Sequence, residues 1–488
     1  MAELHELGLR ALAAALRDGD VTPVEATAYF LARAEAHERL GAFAEVTADA
    51  ARERAAALGA PPTETPPLWG VPLADKDLTA REGVPTRYGS RAFADHVPER
   101  SDPLAKVLDD AGAISLGKTS TPEFGLTGFT ETRIGSPARD PWDPENGAGG
   151  SSGGAAVAVA AGLLPAAPAS DGGGSIRIPA ATVGVVGVKP SRGRVPAGSG
   201  LDSPGGLAVA GSIARTVDDA AMLLDVLAAG PYPYATRATG DSQISEASRV
   251  LPGQLRLGVT TTSPWEETMD IRLDPSARGA LDEAVRVLAG AGHDIEDAAW
   301  RPTGYGDMFM TLWRASAARI PVPDERLDEV EPVTAWLIRE GRALGAARLL
   351  EAYADATAFE RATITAFDGF DAVLTPALAL PPQPLGWFAQ DEPELSFTRQ
   401  CQYAPYSSFV NVAGLPAVTV PVLADGHPVS VQLIGRPGGE ALILHLAAHL
   451  ERSRGSLPWP RESEGSRTGR GNPRRRCITA RLGVSDSA

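Results

Sequence analysis

The sequence predicts an α/β layered protein, and three of its features carry that prediction. Short apolar runs alternate with longer amphipathic ones, the arrangement that lays helices over a sheet. Helix starts are punctuated: Thr22-Pro23-Val24-Glu25 joins a capping box to a proline at the first helical position, which satisfies the donors of a first turn. Apolar residues make up 43% of the 488 residues and charged residues 22%, enough for a substantial buried core.

Taken in order, the capping box opens an alanine-rich helix that runs to about Leu40, and a second helix is expected over 48–58. Residues 61–67 are proline-rich and read as a loop. The texture then changes. Strands are expected at 113–116, 183–186 and 255–259, between helices over 102–111, 218–227 and 276–291. Residues 300–370 are richer in helix and carry Phe309, Trp313, Trp336 and Tyr353. Strand patterns return at 372–374, 417–421 and 429–434, followed by a helix over about 440–452. No internal repeat is visible. From Arg461 the chain is polar and aperiodic, with seven Arg against two Glu and one Asp. It reads as a disordered basic tail over 461–488; a basic RNA-binding arm is the less favoured alternative.

Charge and cysteine usage narrow the function classes. A formal net charge of -16 argues against nucleic acid as a standing partner, since phosphate binding needs clustered Lys and Arg. Two distant cysteines, Cys401 and Cys477, exclude a disulfide scaffold and suit a reducing compartment. Met1-Ala-Glu-Leu-His-Glu carries acids where a signal peptide carries bases. The longest small-apolar stretch, 155–169, is interrupted by Gly162, Pro165 and Pro168, whereas a membrane span takes about 20 apolar residues. A cytoplasmic protein with no membrane association is expected.

Gly147-Ala-Gly-Gly-Ser-Ser-Gly-Gly154 and Ser170-Asp-Gly-Gly-Gly-Ser-Ile-Arg177 are the segments richest in chemistry. Glycines this dense bring backbone N–H groups close to a ligand, because no Cβ stands in the way. Two such loops, each presenting serines and separated by an alanine-rich helix, predict two walls of one site. The amides of Gly172, Gly173, Gly174 and Ser175 are the expected nest for a developing oxyanion. Flexible linkers are the plain alternative. The strongly apolar runs 176–179 and 183–188 oppose it, because they bury the second loop.

These motifs, in this order, resemble the amidase-signature family of serine hydrolases. The resemblance extends to Gly70-Val-Pro-Leu-Ala-Asp-Lys-Asp77, Gly112-Ala-Ile-Ser-Leu-Gly-Lys-Thr-Ser-Thr-Pro-Glu-Phe124 and Gly211-Ser-Ile-Ala-Arg-Thr-Val-Asp-Asp219. It continues through Asn411-Val-Ala-Gly-Leu-Pro-Ala417 and Val431-Gln-Leu-Ile-Gly-Arg-Pro437, and so covers about Leu7 to Arg452. It implies one large domain over 1–460, with a central twisted mixed β-sheet covered on both sides by helices. The signature core spans about 70–220 and a variable helical substrate region about 300–370. The resemblance also implies Ser175 as nucleophile, Ser151 as the bridging serine beside a cis peptide, and Lys76 as base. Ser152, Ser170, Asp171 and Arg177 would brace the loops. Ser170-Asp171-Gly172-Gly173 stands where many relatives read Thr-Asp-Thr-Gly, a departure that bears on substrate preference. No cofactor or metal is implied. The expected partner is a small-molecule amide, with Phe124, Phe309 and Trp313 as pocket residues, for a monomer or homodimer.

The physics of these roles stands apart from the resemblance. A serine hydroxyl needs a neighbour to take its proton, and a lysine can do so only when desolvation or positive potential lowers its pKa. Lys76 follows Val71, Pro72, Leu73 and Ala74, a setting suited to burial. Its neighbours Asp75 and Asp77 face away if the segment is a strand.

Three rival readings are weaker. Gly112–Thr119 matches a phosphate-binding loop pattern, but the expected strand lies inside the motif rather than before it. His445 and His449 are four apart on a helix, without the glutamate of a zinc-protease motif, and read as a helix surface. The amidase (glutaminase) subunit of a tRNA-dependent amidotransferase is the functional alternative.

Overall fold

The computed structural model describes residues 3–196, 204–229, 243–249, 253–423 and 426–461. Of the expected tail 461–488, all but Arg461 lies outside the described residues.

Among the described residues, eleven strands form two sheets. Phe43–Val46 (β1), Pro72–Lys76 (β2) and Ile114–Thr119 (β3) make a three-stranded sheet in the order β1-β3-β2, with β2 parallel to β3. The larger sheet holds Ala166–Asp171 (β4), Val186–Lys189 (β5), Val209–Ala214 (β6), Arg256–Val259 (β7), Asp294–Asp297 (β8), Ala372–Pro376 (β9), Ala417–Leu423 (β10) and Val429–Gly435 (β11). Its spatial order is β4-β6-β5-β10-β11-β9-β7-β8. It is mixed: antiparallel from β4 across to β9, then parallel through β7 and β8. Helix Pro275–Gly290 makes the crossover between β7 and β8, the connection a parallel pair requires. Pro168 is tolerated in β4 because β4 is an edge strand.

Strand alternation divides the core into two faces. Val418, Val420, Val431, Leu433 and Leu374 point to one side, where they meet Leu281, Leu288, Leu444 and Leu450 of helices Pro275–Gly290 and Glu440–Arg454. Ala417, Ile434 and Val373 point to the other. There the cover is aromatic: Trp265, Trp300, Tyr305, Phe309, Phe359 and Phe409. The expected two-sided cover is therefore present, with aliphatic packing on one face and aromatic packing on the face that carries the site.

The expected helix over 48–58 is Ala48–Leu58, and the Thr22 capping box is formed in both directions. The helix it opens stops at Ala36, and a short 3-10 turn at Glu38–Leu40 completes the stretch read as helix to Leu40. One strand expectation is wrong: Val183 closes helix Arg177–Val183, Gly184 turns the chain at φ 73°, and β5 starts at Val186. Every residue of both elements is buried, so no polar spacing divides helix from strand. The phosphate-loop pattern falls on β3 itself, with Lys118 Nζ donating to the Thr79 carbonyl. His445 departs from the surface reading: it is buried, with Nδ1 2.8 Å from the Ser248 carbonyl. No cluster of metal-ligating side chains occurs among the described residues. No described helix is long and apolar enough to cross a membrane.

Candidate active site

The two glycine loops meet where the small sheet abuts the large one. The first carries Ser151 and Ser152 into helix Gly153–Ala160. The second leaves β4 at Asp171 and enters helix Arg177–Val183 past Ser175. The Ser152 N–H donates to the Ser175 carbonyl at 3.0 Å and ties them together. The peptide between Gly150 and Ser151 is cis. Two glycines are required by close approach: a Cβ on Gly150 would lie 2.7 Å from the Phe129 backbone, and one on Gly174, at φ 126°, would lie 2.3 Å from Ser407 Oγ.

Lys76 ends β2 and reaches between the loops. Its Nζ lies 2.8 Å from Ser151 Oγ, 3.2 Å from Ser170 Oγ and 3.5 Å from the Ser170 carbonyl. Burial pushes the ammonium down to about 7, against a smaller upward pull from Asp171. Lys76 is 2% exposed and Ser151 1%, whereas Ser175 is 8% exposed and opens on the cavities described below. The Ser175 hydroxyl makes no hydrogen bond among the described residues.

Asp171 and Arg177 form a fully buried pair, with Nε to Oδ2 at 3.0 Å and Nη2 to Oδ1 at 2.9 Å. Burial alone would raise the Asp171 carboxyl. The Arg177 charge and hydrogen bonds outweigh it and hold the group well below the usual carboxylate range. Such a pair persists only when its remaining donors and acceptors are satisfied. Arg177 meets that condition with the Ser407 carbonyl, Gln432 Oε1 and Asn411 Oδ1 at 2.9, 2.7 and 2.6 Å. Asp171 also accepts the amides of Gly174 at 2.7 Å and Ile176 at 3.1 Å.

That contact corrects one expectation: the Gly174 N–H is committed to Asp171 and is not free for an oxyanion. The amides of Gly172, Gly173 and Ser175 make no hydrogen bond among the described residues. Ser152 Oγ donates to the Ser170 carbonyl at 3.2 Å, so both serines expected to brace the site lie within it.

Two cavities open on Ser175. The inner one, of about 60 Å³, is walled by Ile178, Trp265, Phe309, Trp313, Phe397 and Tyr403. The outer one, of about 250 Å³, is lined by Leu78, Phe124, Ser151, Ser170, Trp313 and Arg319, among others. Phe124, Phe309 and Trp313 thus all reach the site. Trp313 borders both cavities; its indole N–H donates to the Leu126 carbonyl at 3.2 Å and its ring stacks on Phe309 at 5.5 Å. Trp336 does not join them and packs under the Arg314 guanidinium. Sequence reasoning assigned no role to Ser407, Asn411 or Gln432, although Asn411 and Gln432 sit inside the recognised motifs. Trp265, Phe397 and Tyr403 carried no signal at all.

Comparison with known proteins gives a consistent outcome. The Amidase family matches residues 25–444. A relative from Synechocystis sp. that bears the name amidase is 35% identical over 456 residues, 90% of this chain and 87% of its own length. A glutamyl-tRNA(Gln) amidotransferase subunit of Chloroflexus aurantiacus is 33% identical, over 93% of this chain and 97% of its own. The structure of 6-aminohexanoate cyclic dimer hydrolase complexed with substrate superposes with a TM-score of 0.85 at 27% identity, covering 95% of this chain and all of that one. Matched over most of its length in sequence and in fold, the chain belongs to the Amidase family and is an amide hydrolase acting on carbon–nitrogen bonds.

Proposed function

We propose that the chain hydrolyses small hydrophobic or aryl amides through a Ser175 acyl-enzyme, with Ser151 relaying protons between Ser175 and Lys76. The observation that carries the reading is the buried Lys76 amine, 2.8 Å from Ser151 Oγ and lowered to about 7. A neutral amine there accepts the Ser151 proton as Ser151 takes one from Ser175, and Ser175 Oγ adds to the carbonyl carbon. The oxyanion is received by the amides of Gly172, Gly173 and Ser175, each such donor worth about 3 kcal/mol. Ser151 then hands a proton to the nitrogen as the C–N bond breaks. Water releases the acid from Ser175 by the same relay in reverse.

The side on which Ser151 works orients the substrate. Ser151 lines the outer cavity and not the inner one, so the amine portion extends outward and the acyl portion inward. The inner walls suit a small uncharged acyl group. A glutaminase reading has the Chloroflexus likeness in its favour, but it requires that cavity to hold glutamine's ammonium and carboxylate. Among the described residues no acidic or basic side chain lines it, and burying unpaired charge is costly. The cysteine usage supports work in the cytoplasm.

The test is a panel of acetanilides with glutamine and asparagine, assayed on wild type and Ser175→Ala, with fluorophosphonate labelling followed by intact mass. Anilides are expected to turn over faster than glutamine. Ser175→Ala is expected to lose turnover by a factor on the order of 10⁴ or more and to take no label. A glutamine rate above that of every anilide overturns the substrate reading, and an adduct on the alanine variant overturns the nucleophile.

A further inference from the structure

The outer cavity holds a group that hydrolysis of a plain anilide leaves unused. Its walls include Leu78, Phe124, Leu207 and Ile320, and among the described residues Arg319 is the one charged side chain on them. Arg319 is exposed and lies just past helix Tyr305–Ala317. Its guanidinium makes no hydrogen bond or ion pair among the described residues. Nearby arginines are paired: Arg314 with Glu340 at 3.9 Å, and Arg342 with Asp324. The chain carries a formal net charge of -16, a balance that repels anions at long range. Among the described residues, Arg319 is an unpaired cation on the wall of the working cavity.

We infer that the substrate is an N-acyl amine whose amine portion bears a carboxylate, of the N-acyl aminobenzoate or N-acyl amino-acid kind, and that Arg319 receives the carboxylate. The inference rests on the hydrolytic reading above, which sends the amine portion into the outer cavity. A guanidinium offers a planar fork of donors that matches a carboxylate in two parallel hydrogen bonds. One guanidinium balances one negative charge. A phosphate monoester would keep an excess charge with no second cation among the described residues of the cavity wall to meet it. The apolar walls of the same cavity, Leu78, Phe124, Leu207 and Ile320, take the body of the amine. Hydrolysis adds water across the C–N bond, leaving a small carboxylic acid and an amino carboxylate.

The experiment compares 4-acetamidobenzoate with 4-acetamidobenzamide, which share a shape and differ in charge, on wild type, Arg319→Gln and Arg319→Lys. Wild type is expected to favour the carboxylate, chiefly through a lower KM. Arg319→Gln is expected to cut the kcat/KM ratio of the two amides about five- to tenfold, the size of a well-placed ion pair at a wet site. Arg319→Lys restores part of it. Raising ionic strength to about 1 M is expected to shrink the difference between the wild-type and Gln-variant ratios. Because both amides are measured on one preparation, a partly unfolded variant does not alter the ratio. A ratio unchanged by Arg319→Gln, or a wild type that prefers the benzamide, overturns the inference and leaves Arg319 a solvated surface residue. Wild type that ignores both amides yet cleaves other anilides overturns it too. Wild type inert to every anilide, 4-acetamidobenzoate included, overturns the hydrolytic reading beneath it.

Discussion

Lys76 is flanked in sequence by two acids that would keep its amine charged if they faced it. In the fold both are engaged elsewhere. Arg81 Nε donates to Asp75 at 2.6 Å, and Asp77 accepts the amides of Arg87 and Gly89 at 3.1 and 3.2 Å. Burial therefore dominates, and the amine titrates near 7. The proposed chemistry needs the neutral form, because a protonated amine cannot take a proton from Ser151. The plot of kcat/KM against pH is thus expected to fall on the acid side of about pH 7 and to level off above it. Lys76→Arg keeps its charge throughout that range and is expected to drop below about a tenth of wild type at pH 8. Retention of more than that, a loss under 1.4 kcal/mol, removes Lys76 as the base. At this scale the sequence was informative where chemistry forces a residue type: a lysine in an apolar strand and serines among glycines. It was silent on the Gly174 amide, whose capture by Asp171 depends on how the loop curls back.

Among the elements, helix Gly153–Ala160 sets the placement of Ser151 and Ser152, and all eight of its residues are buried. Its alanines and glycines let it pass close to neighbouring backbone. A Cβ added at Gly154 would meet Ser120 N at 2.2 Å and the Ala42 carbonyl oxygen at 2.4 Å, and backbone does not move aside as a flexible side chain does. Gly154→Ala is therefore expected to cost stability of about 1–3 kcal/mol by overpacking, against the small gain that Gly→Ala brings in an open helix. It should also slow fluorophosphonate labelling of Ser175, since the loop shifts with the helix. A urea midpoint equal to or above wild type shows that the site has room and sinks the argument. The alanine-rich helix between the loops was legible as an element. Its close contacts were not, because they come from residues more than 30 positions away.

For the molecule as a whole, the segment around Glu331 is pinned to the segment around Glu123 and Arg133 through buried acids. Glu331 precedes helix Pro332–Arg342, and its amide donates to Glu123 Oε2 at 2.7 Å. Its own carboxylate accepts the Arg133 amide at 3.1 Å. Burial first, and the nearby Glu123 second, raise the Glu331 carboxyl to about 8. A carboxyl raised in the fold stabilises fully below its unfolded value of about 4.3, and that contribution is lost as pH rises through the folded value. Glu331→Gln keeps an acceptor and removes the titration. Its Tm relative to wild type is expected to climb from about pH 4.5 to pH 8 and then flatten. A pH-independent difference would mean that Glu331 is not buried beside Glu123.

The layered α/β character and the order of most elements were readable from the chain, because local chemistry dictates them: glycine where backbone must approach, a capping box where a helix starts, alternation where one sheet face is buried. The family, and with it the proposal of Lys76, Ser151 and Ser175, came from the resemblance that the ordered motifs carry. The division into two sheets, with Lys76 on the smaller, came only from the fold. So did the ring of Asn411, Gln432 and Ser407 around Arg177, and the aromatic walls drawn from Trp265, Phe309 and Phe397. Those features depend on contacts between residues up to 255 positions apart. A sequence pattern records what each segment buries, whereas which segments then share a cavity is decided by how the sheet orders its strands.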